Sequence, residues 1–334
     1  MDTLTLSLIV MVVAGVAAVL AVNVWQQRSR QKPEVADRQP SSTASGTRAE
    51  PRLDPGPTPE SPASLLEAEL GAAPPRVSTI DPLVDEVVTI ELAAPISTER
   101  IGLAGLRRIG TKPLIVESLM AGDESNTWGV LMPGQSNTML RIALQLANRR
   151  GPLNAMEFSE FAALLDQLSD PLGVLIDAPE MSVVLARARA LDAQLLELDG
   201  LIGFNLEFDR TLSPADLVGM AQATAMSERG SERWARLDEQ GQVVFSLSLG
   251  DAPSRVSLLL DYPRVAMNHE PWSAMLACAR QLCEGFGARL LDDQARPLSE
   301  ASIEALGKEV ARRQQALRDA GIEPGSATAL RVFH

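Results

Sequence analysis

Residues suited to chemistry near neutral pH are scarce in this chain. Among 334 residues there are two histidines, His269 and the C-terminal His334, and two cysteines, Cys278 and Cys283. So few imidazoles leave almost no material for general acid–base work. The cysteines stand five positions apart on a stretch with helical character, so about 140° separates their directions. They cannot share a metal ion, and they read as small core residues. The acidic pairs Asp123-Glu124 and Asp292-Asp293 are no better as metal sites, because adjacent carboxylates on a strand point to opposite faces. Gly105–Lys112, GLRRIGTK, comes near to a phosphate-binding loop. Thr111 separates its glycine from its lysine, and the run ends a helix before a strand, the reverse of the required context. No catalytic residue, metal or cofactor is expected.

Charge is also one-sided. The chain carries a formal net charge of −13. Asp2 and a linker of zero net charge leave −12 on residues 81–334. A body of that sign is repelled by nucleic acid and by anionic lipid, so the expected partner is a protein.

What is present begins with a run of 22 residues lacking any charge, Leu4–Trp25. It would span roughly 33 Å as a helix, enough to cross a bilayer core. Arg28, Arg30 and Lys32 follow it, which predicts a single-pass anchor with a short outer N-terminus and a cytoplasmic body. A cleaved signal would carry its positive charge before a shorter run. Residues 26–80 follow, with nine prolines between Pro33 and Pro75 and seven side chains of each charge. Too little apolar surface is available there to offset chain entropy, so the segment reads as a disordered linker with a reach of roughly 40 Å.

From Asp81 the pattern changes to short strands and amphipathic helices. Strands are predicted at Val87–Ala94, Pro113–Met120, Leu140–Asn148 and Gly173–Pro179, with a closing strand at Gln194–Leu198. Helices are expected from Ser97-Thr98 to about Arg108, from within Gly151–Phe161, and over Val183–Ala193. A second set follows. It has strands at Ile202–Phe208, Gln242–Leu249, Arg255–Tyr262 and Ala288–Leu291, and helices from Ser213-Pro214 and over Trp272–Cys283. A long charged helix over Ser299–Ala320 carries a stripe of Ile303, Leu306, Val310 and Leu317, and the tail after it is expected to fold back. Short segments recur in the same order: LIDAP (Leu175–Pro179) with LLDYP (Leu259–Pro263), LARARAL (Leu185–Leu191) with LACARQL (Leu276–Leu282), and LLELD (Leu195–Asp199) with LLDD (Leu290–Asp293). This order suggests an internal duplication. The expected fold class is α+β: one transmembrane helix (1–25), a linker (26–80), then two split β-α-β units (81–200 and 201–334). Each unit would have helices on one face of an antiparallel sheet, its other face open to water or a partner.

Two stretches carry a family resemblance. LQLANRRGPLNAMEFSEF (Leu144–Phe161) and MLACARQLCEGFGARLLDDQARPLSEASIEAL (Met275–Leu306) are similar to segments of the ZipA family of bacterial division proteins. The order of anchor, Pro-rich linker and terminal domain is similar too, and the likeness covers most of residues 86–310. It implies a non-enzymatic, cofactor-free adaptor at the inner membrane of the division site, whose domain binds the C-terminal tail of FtsZ, the tubulin-like GTPase of the division ring. The alternative is a membrane-anchored structural or envelope-assembly protein with a different protein partner.

Strand alternation proposes the docking residues. In the second unit Leu201, Gly203, Asn205, Ser246, Ser248, Ser257, Leu259 and Asp261 should face outward. In the first unit the outward set is Thr89, Gln145, Ala147, Arg149, Leu175 and Asp177. Ala147, Arg149, Leu175, Ser248 and Leu259 match positions lining the family's groove, and Asp177 and Asn205 complete the candidate site. Both sets are more polar than that groove.

Overall fold

The computed structural model describes residues 78–103, 106–230, 233–292 and 296–334. The anchor Leu4–Trp25 and nearly all of the linker lie outside the described residues. Among the described residues no helix is long and apolar enough to cross a membrane.

The fold is mixed α+β with antiparallel sheets. In the first unit β1 (Asp85–Ser97), a one-turn helix α1 (Thr98–Ile101), β2 (Arg108–Ile109), β3 (Lys112–Met120), β4 (Gly129–Val130) and β5 (Ser136–Gln145) come first. They build a sheet of order β1-β5-β3-β2, with β4 beside β3. A small ladder of β6 (Ala147–Asn148) and β7 (Gly151–Pro152) leads to α2 (Ala155–Leu172) and α3 (Met181–Leu198). Alternation sends Ile90, Leu92, Leu114, Val116, Leu140 and Ile142 into the core with Phe158, Phe161 and Leu165 of α2. Asn154 starts α2 through a capping box: its Oδ1 accepts from Glu157 N at 3.0 Å, while Asn154 N donates to Glu157 Oε2 at 3.2 Å. Glu157 also accepts from Thr111 N and Oγ1 at 2.9 and 2.7 Å. The same carboxyl thus caps the helix and holds the β2–β3 turn. The GLRRIGTK stretch ends in that turn.

The second unit runs β8 (Ile202–Glu207), α4 (Pro214–Ala223), β9 (Ser227–Glu228), β10 (Arg233–Leu237), β11 (Val243–Leu249), β12 (Arg255–Leu260), α5 (Pro271–Phe286), β13 (Arg289–Leu291), α6 (Glu300–Asp319) and α7 (Ala327–Val332). Its sheet order is β13-β8-β12-β11-β10-β9. Phe204, Leu206, Leu247, Val256 and Leu258 face α5, where Met275, Ala279 and Leu282 are buried. Strand β10, not foreseen in the sequence, pairs with β11 as a hairpin. The tail does fold back: Thr328 of α7 bonds Asp81 at 2.9 Å, Arg331 pairs with Asp85 at 2.8 Å, and Phe333 is fully buried.

Three expectations for the first unit are corrected. The helix expected to reach Arg108 stops after one turn, because Gly102 takes a left-handed φ of 71°. Gly173–Pro179 forms no strand. After the left-handed Gly173 ends α2, Val174 and Ile176 pack partly on the core, but no sheet edge pairs with the run, and Leu175 stands 86% exposed. Gln194–Leu198 is the last turn of α3, since Val184, Ala188, Leu191 and Leu195 continue one buried helical stripe.

The recurring short segments consequently do not occupy equivalent places. Leu175–Pro179 is irregular where Leu259–Pro263 closes a strand, and Leu195–Asp199 ends a helix where Leu290 and Leu291 lie in β13. The likeness lies in topology: β1-β5-β3-β2 and β8-β12-β11-β10 follow the same path through the two sheets. In each unit a long helix follows the second strand of that path.

Candidate functional site

Each sheet turns one face to its own helices, so the opposite faces are the candidate docking surfaces, and they differ in what covers them. On the first sheet Asp85, Glu117, Ala143 and Gln145 project away from the helices yet are buried. The chain itself covers them. Ser78 Oγ, Thr79 N and Ile80 N donate to the Glu117 carboxylate at 2.7, 2.6 and 3.3 Å. Arg331 from α7 reaches Asp85, and Arg141 stacks 3.9 Å from the Trp128 ring. The part of this face around Glu117 and Asp85 is covered, whereas Thr89 is exposed and Val87, Ile115 and Arg141 are partly exposed.

The matching face of the second sheet is accessible. Cross-strand register sets Ser246 beside Leu259 and Leu259 beside Gly203. The next rung runs Arg233, Ser248, Ser257 and Asn205. Ser257 Oγ donates to Asn205 Oδ1 at 2.8 Å, and the Arg255 Nε–Glu207 ion pair at 2.8 Å closes one end. Gly203, Asn205, Ser246, Ser248, Ser257 and Leu259 are all partly exposed. Gly203 has a steric reason to be glycine: an added Cβ would meet Leu258 O at 2.4 Å and Leu259 Cδ2 at 2.7 Å. The missing side chain lets Leu259 lie flat over the strand, making a low apolar spot ringed by hydroxyl and amide groups.

Of the seven candidate residues, Asn205, Ser248 and Leu259 come together on this face. The other four do not. Ala147 is fully buried in β6. Leu175 and Asp177 sit on the irregular α2–α3 connection and belong to neither sheet. Arg149 joins the two units. Its Nε donates to Asp199 Oδ2 at 2.9 Å, its Nη1 to Asp261 Oδ2 at 2.6 Å and its Nη2 to Asp261 Oδ1 at 2.7 Å. Asp261, expected to face outward, is committed to that clamp. Burial pushes the Asp261 carboxyl above its usual range, and Arg149 opposes the push.

Reactive chemistry is poorly provided for. Among the described residues no group of three or more His, Cys, Asp or Glu is arranged to hold a metal. Burial pushes the Cys278 thiol up to about 11 and raises Cys283 as well, opposite to what a nucleophilic cysteine needs.

An accessible sheet face, a low apolar spot and polar flanks are a peptide-docking geometry. Residues 202–309 match the family model of the ZipA C-terminal FtsZ-binding domain. The match runs from β8 into α6 and includes every residue of the accessible face except those of its rim before Ile202. It supports a ZipA-like protein with a role in FtsZ binding and cell division, in a family of protein-binding domains rather than enzymes. The first unit lies outside the ZipA match. No curated protein matches the chain.

The sequence reading missed the cover over the first sheet. Ser78–Ile80 lies about 38 positions from Glu117, and no local pattern marks so distant a pairing. Gly203 did carry a signal, as a glycine inside an otherwise apolar strand.

Proposed function

We propose that this chain is a membrane-tethered adaptor whose second unit binds the C-terminal tail of FtsZ and so links the division ring to the inner membrane. The observation that carries the reading is that an accessible sheet face lies within the segment matching the ZipA FtsZ-binding domain. On this reading Leu4–Trp25 is the single-pass anchor, with its short N-terminus outside. Residues 26–80 are the linker and the body is cytoplasmic. The first unit (81–200) is a diverged copy of the second (201–334), a view supported by the shared strand path. The adaptor needs no cofactor and performs no catalysis.

Docking on an open sheet face orders a short segment, so a few apolar anchors should dominate its affinity. Leu259 is the best-placed anchor. In co-sedimentation with FtsZ polymers the chain should pellet, and deleting the FtsZ tail should abolish pelleting. Leu259→Glu should weaken tail binding by about tenfold or more, the loss of one buried apolar contact and the desolvation of a charge. Leu175→Glu should leave it unchanged. Pelleting that survives tail deletion would reject the reading in favour of a different partner.

A further inference from the structure

The covered part of the first sheet's outer face holds a group that a covered surface does not ordinarily contain. Glu117 projects from the middle of β3, away from the core, and is 0% exposed. A carboxylate taken out of water requires donors. Four come from one three-residue segment: Ser78 Oγ at 2.7 Å, Thr79 N at 2.6 Å, Thr79 Oγ1 at 3.3 Å and Ile80 N at 3.3 Å. The segment joins no strand, and its downstream end is held by the Asp81–Thr328 contact at 2.9 Å. One rung away lie Val87, Ala143 and Ile115, an apolar row facing the same side. Consecutive main-chain N–H groups on a buried carboxylate beside an apolar row hold an extended segment across this face by charge-assisted hydrogen bonds. The accessible face of the second unit occupies the same place on the shared strand path.

We propose that Ser78–Ile80 is an intramolecular ligand of the first unit, occupying a second docking face for the same extended FtsZ tail. Its release makes the body bivalent, which raises avidity for a polymer that presents many tails. This inference rests on the docking assigned to the second unit. The test uses the full chain in detergent micelles, a synthetic FtsZ tail peptide, titration calorimetry and amide hydrogen exchange. In Ser78→Ala combined with Thr79→Pro, three of the four donors are gone. Both residues are exposed, so the core keeps its packing.

The expected result is one peptide per wild-type chain and two per variant chain, with the Ile80 amide exchanging at least about tenfold faster in the variant. Adding Leu259→Glu should weaken the second-unit site by about tenfold or more, so that one full-strength site remains in the strap variant and none in the chain without it. A variant that exchanges faster at Ile80 yet still takes one peptide overturns the inference while the second-unit docking stands. Unchanged exchange at Ile80 overturns it too, since Glu117 is then no latch. No binding in any form overturns the docking itself, and the inference with it.

Discussion

Arg149 offers the sharpest test of how the two units are held together. Its guanidinium spans Asp199, at the end of α3, and Asp261, at the end of β12. Arg149→Met keeps much of the stem and removes the charge, leaving two carboxylates facing one another. Breaking a buried ion pair by deleting one partner costs about 3–5 kcal/mol. The Arg149, Asp199 and Asp261 side chains are 23%, 16% and 24% exposed. Solvent screening lowers the expected loss to about 2–3 kcal/mol. With a urea slope of roughly 3 kcal/mol/M, the unfolding midpoint should fall by roughly 0.7–1 M. The pH dependence separates this cause from simple loss of packing. Removing Arg149 withdraws what opposes the burial of Asp261, so its folded pKa climbs further above the unfolded value. The native variant then binds more protons than the unfolded chain, and its stability falls as pH rises through that window. The deficit should be largest near pH 7.5 and shrink toward pH 5, with Arg149→Lys intermediate because it keeps charge but loses the planar fork. An equal deficit at both pH values, or an unchanged midpoint, would refute the electrostatic account.

Two further outcomes follow from packing. Gly325 has a φ of 75°, and a Cβ there would lie 2.3 Å from Ala266 N. Gly325→Ala should cost about 2–3 kcal/mol and lower the melting temperature by about 5–10 °C, whereas Gly122→Ala, with a φ of 78° and open space around it, should cost about 1 kcal/mol. Calorimetric melts of the two variants compare them directly, and equal losses would contradict the tight docking of the tail beside Ala266. With its thiol pushed up to about 11, Cys278 should be about one-thousandth thiolate at pH 8. It should resist a disulfide-exchange reagent in the native protein and react promptly in urea; fast native labelling would argue that the α5 side of the core opens readily.

How far the chain could be read before folding depended on the range of each interaction. Strands β1, β3, β8, β11 and β12 and helices α4, α5 and α6 were legible because alternation and helical spacing repeat within a few residues. The Ser213 cap with Pro214 is equally local. The failures lay where a distant partner decided. The apolar run Gly173–Pro179 had the composition of a strand but no edge to join, and Arg149 looked like a surface residue until Asp261, 112 positions away, met it.

The candidate site divides along the same line. Asn205, Ser248 and Leu259 could be assigned to one face from alternation alone, because a strand turns its side chains over every second residue. How much of each sheet face is covered could not. The cover over the first depends on Ser78–Ile80 reaching Glu117 and on α7 reaching Asp85, contacts across 37–39 and 246 positions respectively. Local sequence determines the period of burial along each element. Only the packed chain determines what lies across from it, because that depends on how distant segments share the same limited surface.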